Sequence, residues 1–277
     1  MASFDGLDAT DWKELEPRYA DFLNRDLNSA AELESWLIEL GLFDAYVSEV
    51  SSMLYVNMTC DTEDEAVKQA YLDFVSNVEP ELAQVGDLLN RKFAENPHID
   101  ALDPVEYGVL IRDTRMELAL FREENIPLGT ELTKLGQRYN EICGAMMVEF
   151  DGEERTMQQM GKYLQVNDRS VRESAWKTVG ERRHLDNEEI DDLYEQMLEL
   201  RQQVAANAGY DNYRDYIFDA KSRFDYTPAD CEAFHDAVEA ICVPLMRDVD
   251  LERKETLGID SLRMWDLGVD VHGREPL

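Results

Sequence analysis

Cations, histidine and paired cysteine are all scarce in this sequence, and each shortage closes off a kind of chemistry. Lys and Arg number 27 against 60 Asp and Glu in 277 residues, a formal net charge of −33. A field of that sign repels phosphate backbones and anionic lipid, which excludes nucleic acid and membrane surfaces as partners. It reads as a solvated acidic surface that keeps the chain soluble. The 4 histidines are His98, His184, His235 and His272, and no two lie within one helical turn of each other. H-E-x-x-H is therefore missing, the motif that sets two imidazoles on one helix face beside a water-activating glutamate. G-x-G-x-x-G, G-x-x-x-x-G-K-[ST] and G-x-S-x-G are missing too. Cys60, Cys143, Cys231 and Cys242 show no C-x-x-C spacing, and the last three fall in helical patterns where a free thiol acts as a small buried hydrophobe. No apolar run reaches the length of a membrane span. The opening residues MASFDGLDATDWKELEP have neither the basic start nor the apolar core of a signal peptide, so a reduced, cytoplasmic protein is expected. The absence of a fixed-period repeat disfavours a regular solenoid.

What is present is helix. Apolar residues make up 44% of the chain, and a chain of this length buries about three quarters of its unfolded surface. Ser29 with Glu32, Thr62 with Glu65 and Asp186 with Glu189 have the spacing of a capping box or its Asp variant. Asp103-Pro104 and Thr227-Pro228 place proline at the first helical position, where its missing N–H costs nothing. From Thr62 an apolar stripe runs through Val67, Tyr71, Phe74, Val78, Leu82, Val85, Leu89 and Phe93, with Pro80 as a kink or break. From Asp186 a second stripe runs to Val204 and ends near Gly209. A third runs from Thr227 through Phe234, Val238, Ile241 and Leu245, bent by Pro244.

One stretch has the other period. Met146 to Phe150 alternates, Asp151-Gly152 is a hairpin turn pair, and Glu153 to Met157 resumes in a strand-like way. The fold expected is all-α, with long antiparallel helices and one short β-hairpin near residues 146–157. The hairpin divides the chain into an N-terminal helical bundle, 1–145, and a second helical section, 146–277. Joints within the bundle are expected at Asn57–Thr62, Asn96–Asp103 and Asn125–Leu128. Beyond Asp260 the character becomes loop-like, and the chain stops at Arg274-Glu275-Pro276-Leu277 without a closing element.

Candidate chemistry is sparse. Cys231, His235 and Glu239, spaced i, i+4, i+8, stack three metal-ligating types along one helix stripe, but the bland reading is stronger: Cys231 on the apolar face, the other two at its polar edge. The acidic runs Asp61–Glu65 and Asp186–Asp192 lack the glycine and final glutamate of an EF-hand, and both sit at helix starts, where carboxylates favour the positive end of the dipole. Met146, Met147, Met157 and Met160 read as core rather than as a soft-metal site. Tyr210 to Tyr226 interleaves aromatics with Arg214, Lys221 and Arg223. That mixture suits stacking and hydrogen bonding to a peptide, or else packing with cations paired to nearby aspartates.

At this segment a family resemblance appears. It is carried by FREENIPL (residues 121–128), MMVEFDGEERTMQQM (146–160), R-x-S-A-W ending at Trp176, NAGYDNYRDYIF (207–218), RFDYTPADCEAFHDAV (223–238) and LRMWDLGVD (262–270). In these strings the chain resembles the thimet oligopeptidase and oligoendopeptidase F family of zinc metallopeptidases, especially its bacterial branch. The likeness runs from about Trp12 onward and is densest in the later part of the chain. The resemblance implies the front part of a neurolysin-like oligopeptidase fold, with a deep channel between helical halves that admits short unstructured peptides. Its zinc site lies in a later section, on H-E-x-x-H and a further glutamate, and no position here matches those residues. No catalytic or metal residue is therefore assigned. Zinc, peptide substrates and a missing C-terminal catalytic section belong to the complete enzyme. Tyr213, Tyr216, Arg223, Phe224, Tyr226, Trp265 and Asp266 are the residues expected to line the channel. The alternative is a free-standing helical peptide-binding or adaptor module on a peptidase scaffold, which would be expected to finish in a capped helix and a polar tail.

Overall fold

Helices in this chain begin where a side-chain oxygen can accept the first unpaired amide N–H groups. The computed structural model describes residue 4 and residues 6–274. Asp11 caps α1 (Trp12–Asn24) and Ser29 caps α2 (Ala30–Cys60). The expected Thr62 cap is not used. Asp64 accepts from the N–H groups of Ala66 and Val67 and starts α3 (Glu65–Asn77), while the Asp61 carboxylate accepts from Glu63 and Asp64. The long stripe from Thr62 to Phe93 breaks at Val78, and α4 (Glu79–Ala94) starts there with Pro80 in its first turn. Asp103 caps α5 (Pro104–Leu120) as its spacing predicts.

The joint expected at Asn125–Leu128 is instead the first turn of α6 (Asn125–Gly144), and the break lies at 121–124. Pro127 sits in that first turn, where no intrahelical donor is lost. The expected hairpin forms from β1 (Met147–Phe150) and β2 (Glu153–Thr156), antiparallel with Phe150 opposite Glu153. Asp151 and Gly152 both take positive φ, 55° and 76°, as a two-residue turn of this hand requires. Thr156 and Gln159 then make a reciprocal capping box for the single turn α7 (Met157–Met160). α8 (Arg169–Leu185) is capped by Asp168 and ends at Asp186, whose carboxylate pairs with Arg182 and whose carbonyl accepts from Ile190 in the first turn of α9 (Asn187–Asn207). Gly209, at φ 89°, ends that run. α10 (Tyr213–Ala220), α11 (Pro228–Ala237) and α12 (Val243–Leu257) complete the set. Residues 238–242 between α11 and α12 form a π turn. Pro244 offers no N–H to the carbonyl four residues back, and the wider register accommodates that defect.

The chain divides into two compact units, Met1–Asn140 with Gln196–Phe224, and Glu141–Glu195 with Asp225–Leu277. Helices α6 and α9 each run from one unit into the other. The first unit holds the main core, in which Leu15, Leu33, Trp36, Phe43, Phe74 and Phe93 interlock. The second has a small core of Val148, Met160, Tyr163 and Ala175. The thiols are less enclosed than expected: Cys143 and Cys231 are half-buried, and Cys60 and Cys242 are exposed. No helix among the described residues is long and apolar enough to cross a membrane.

Trp36 is 1% exposed, and its indole N–H donates to the Phe22 carbonyl across 3.1 Å. Trp36→Ala removes both contacts and should cost about 3–5 kcal/mol. A denaturant midpoint that fails to move would show that this core does not hold the first unit.

Candidate functional site

The aromatic run beginning at Tyr210 folds back on itself. Tyr216 packs edge-on to Tyr210 with centroids 5.6 Å apart, and Tyr213 lies 5.8 Å from Tyr216. Burial, then the Asp219 carboxylate that the Tyr210 hydroxyl donates to, pushes the Tyr210 phenol up to about 12. Burial also raises the Tyr216 phenol. The cations here face rings and carboxylates. Arg112 from α5 lies 4.2 Å over Phe224, Arg223 lies 5.0 Å over Phe218, and Arg214 pairs with Asp215 at 2.9 Å. Tyr213, Tyr216, Arg223 and Phe224 are therefore gathered in the first unit as a half-buried aromatic and cationic layer.

Beside Tyr216 is a cavity of about 450 Å³. Met116, Leu120, Phe121 and Ile126 supply its apolar surface, and Asp113, Glu117 and Asp219 supply carboxylates. Its wall is fixed by a knot that joins two of the family-like strings. Arg122 donates to the carbonyls of Ala119, Phe121 and Asn207, Asn125 donates to the Val204 carbonyl, and Asn207 donates to the Asn125 side-chain oxygen. A cavity of this size, largely apolar with a few convergent polar groups, suits a peptide side chain.

Tyr226, Trp265 and Asp266 belong to the second unit, and they differ sharply. Tyr226 is 44% exposed. Asp266 is 0% exposed, with Arg169 Nη2 at 2.8 Å and Arg172 Nη2 at 3.1 Å, so its carboxylate is enclosed and acts as an anchor rather than a lining group. Burial alone raises its carboxyl, but the hydrogen bonds from Arg169, Arg172 and the Arg263 N–H outweigh that and hold it below the usual carboxylate range. Arg172, 3% exposed, also donates to the carbonyls of Trp265, Val166 and Asn167. Trp265 is set by this clamp against Trp176, centroids 5.5 Å apart, under the cations of Arg169 and Lys177. Its ring N–H is buried without a hydrogen-bond partner among the described residues. The sequence showed Trp265-Asp266 as a motif but held no signal of its arginine partners, about a hundred residues earlier.

The zinc that the family resemblance implies does not fit the side chains present. Among the described residues no three His, Cys, Asp or Glu converge on a point, Cys231, His235 and Glu239 included. His184 sits at the end of α8 beside Asn187, and His98 lies in the loop before α5.

Two domain descriptions match the chain: Peptidase M3 N-terminal domain over residues 7–121 and Peptidase family M3 over residues 162–270. Among solved structures, a Pz peptidase A with inhibitor 2 matches at TM-score 0.87 and 23% identity, covering 94% of this chain and 46% of its own. A provisionally assigned oligoendopeptidase F from Bacillus anthracis strain Ames matches at 0.87 and 19%, covering 96% and 49%. Another provisionally assigned oligoendopeptidase F gives 0.89 and 20%, covering 96% and 47%. The chain thus spans about half the length of these proteins. No curated protein matches it.

Asp266→Ala leaves two guanidiniums without their carboxylate and should cost about 3–5 kcal/mol at neutral pH. Because the folded carboxyl titrates below its unfolded value, that advantage is present above pH of about 3.9 and is lost as the pH falls further. Denaturation of both proteins from pH 7 downward would test this. A gap that stays constant into strong acid would contradict it.

Proposed function

This chain belongs to peptidase family M3, and on that premise we propose that it is the non-catalytic front section of a zinc-dependent oligoendopeptidase acting on short unstructured peptides. The observation that carries this reading is a helical rod with little cover. From Pro228 to Leu257, through α11, the π turn and α12, no side chain is buried. Yet the middle of the rod is apolar on nearly every side, and Phe234 is 66% exposed, Ile241 62% and Leu245 60%. A helix hydrophobic all round belongs in a core, so further chain is needed to enclose it. A free-standing adaptor would be expected to cover such a rod, which favours the enzyme-section reading. Residues 275–277, on which the expected polar tail of an adaptor bears, lie outside the described residues.

On this reading the sections 1–145 and 146–277 support a peptide channel. Tyr213, Tyr216, Arg223 and Phe224 are its wall residues in the first unit, Tyr226 and Trp265 in the second, and Asp266 holds Trp265 from behind. Zinc and the catalytic base come with the section bearing H-E-x-x-H, and the chain alone holds no zinc and is inactive. A cytoplasmic setting is part of the same proposal, in keeping with an acidic surface and unpaired thiols.

A quenched fluorescent oligopeptide incubated with the purified chain and zinc should remain uncut, with or without chelator. Chelator-sensitive cleavage, once contaminating peptidases are excluded, would sink the proposal. The exposed rod should also bind an apolar-surface dye and promote self-association. Replacing Ile241 and Leu245 together by Asp should suppress both, and dye binding unchanged by that pair would mean the rod is not the sticky surface.

A further inference from the structure

Helix α2 and helix α4 do not close on each other. Between them lies a hollow of about 360 Å³, with Asp44, Ser48 and Ser51 of α2 on one side and Leu82, Gly86 and Leu89 of α4 on the other. A second hollow, about 280 Å³, shares Leu40, Asp44, Leu89 and Asn90 with the first and continues to Tyr107 and Thr114 of α5. At the opposite end Glu79 lines both the 360 Å³ hollow and the 450 Å³ cavity beside Tyr216. The two hollows form a cleft that follows α4 from Glu79 to Phe93, about 21 Å at the helical rise, and the cavity adjoins it at Glu79. An extended chain of about six residues has that length.

Each hollow has a helix-interior glycine in its lining: Gly41, Gly86 and Gly129. Glycine inside a helix weakens it relative to alanine and needs a reason. None of the three is required by close packing, since a Cβ built on each meets no atom within 4 Å. Open space stands over each of them, as it does over Gly108, Gly136 and Gly180 at other helix positions.

Carboxylates predominate in the lining of the cleft and the adjoining cavity. Asp44, Glu79, Asp113, Glu117 and Asp219 contribute them, of which Asp113 pairs with Arg112, Glu117 accepts from Asn90 and Asp219 accepts from Tyr210, while the cation Arg122 donates to main-chain carbonyls. Glu79 differs from the solvated acids elsewhere on the surface. It is half-buried, has no hydrogen bond or ion pair among the described residues, and burial pushes its carboxyl up. Asp44 is reached by solvent but crowded on its flanks, as on a concave wall, and the partial loss of water pushes its carboxyl up too. It accepts from the Tyr19 hydroxyl at 2.9 Å, which leaves its second oxygen available. A carboxylate withdrawn from water without a cation is stabilised by one that binds. Leu40, Val47 and Leu89 beside it suit an aliphatic stem or an apolar neighbour.

We propose that this α2–α4 cleft binds a short extended peptide carrying two lysine or arginine side chains, one received by Asp44 and the other by Glu79. The proposal rests on the peptide-handling reading above and narrows its substrates to basic peptides. It is independent of where cleavage occurs.

The test is fluorescence anisotropy of a labelled apolar hexapeptide with a lysine near each end, added to the purified chain at moderate salt, with the peptide checked for integrity afterwards. Binding should be about tenfold tighter than for the same peptide with glutamate in place of lysine. Glu79→Gln and Asp44→Asn should each weaken it about fivefold. The first relieves an unpaired charge and the second keeps the Tyr19 hydrogen bond, so both should melt no lower than the parent. Gly86→Phe fills the cleft from a helix position and should abolish binding, while exposed Glu63→Gln should leave it unchanged. Equal weakening by Glu63→Gln would assign the attraction to the net charge of the whole chain and overturn the site. So would binding that survives Gly86→Phe, equal affinity for the lysine and glutamate peptides, or no binding at all. A peptide that binds in the cleft but is recovered cut would support the site while refuting the incomplete-enzyme reading.

Discussion

A guanidinium removed from water must have its donors filled, and the second unit is organised around that requirement. Arg172 lies in α8, enclosed, and satisfies itself with the carbonyls of Val166, Asn167 and Trp265 and with the Asp266 carboxylate. The loop from Leu262 to Asp270 has little regular structure of its own, so these bonds, with those from Arg169 and from Arg253 to the Val269 carbonyl, fix its path. Removing either sign would leave the other charge buried and unpaired, which is the costly case for any ion pair.

The first unit repeats the device with neutral partners. Arg122 and Asn125 reach carbonyls of the 204–207 turn, and Asn207 answers with a bond to Asn125. Four of the six strings that carry the family resemblance meet in these two knots. FREENIPL pairs with NAGYDNYRDYIF in one, and R-x-S-A-W pairs with LRMWDLGVD in the other. Such strings are informative because a buried polar knot tolerates few substitutions at any member. They describe scaffolding, which is why a chain rich in recognisable motifs holds no converging metal ligands among its described residues.

Local rules explain both the accurate and the inaccurate element boundaries. Asp151-Gly152 had to turn, because few residue pairs accept positive φ at both central positions. Ser29, Asp103 and Thr227 had no nearby competitor, and each caps its helix. At Thr62 a competitor existed. Asp61 and Asp64 are stronger caps than threonine, and they divide the exposed amides between them. Asn125–Leu128 read as a joint because Asn and Pro both favour loops, yet both are equally at home in a first helical turn. At Pro244 the stripe continued as expected, but the adjustment was a π turn, a shift of hydrogen-bond register that apolar spacing does not encode.

The sequence by itself determined the helical class, the hairpin, most helix starts and the absence of paired histidines, because each depends on residues within one or two turns of each other. The tertiary structure alone decided that residues 196–224 join the first unit, that Arg112 and Arg223 face rings, and that Asp266 turns inward. It also decided that α2 and α4 leave a cleft with Glu79 and Asp44 in its walls. These outcomes depend on partners tens of residues away and on how much water is excluded around each group. A one-dimensional spacing carries neither quantity.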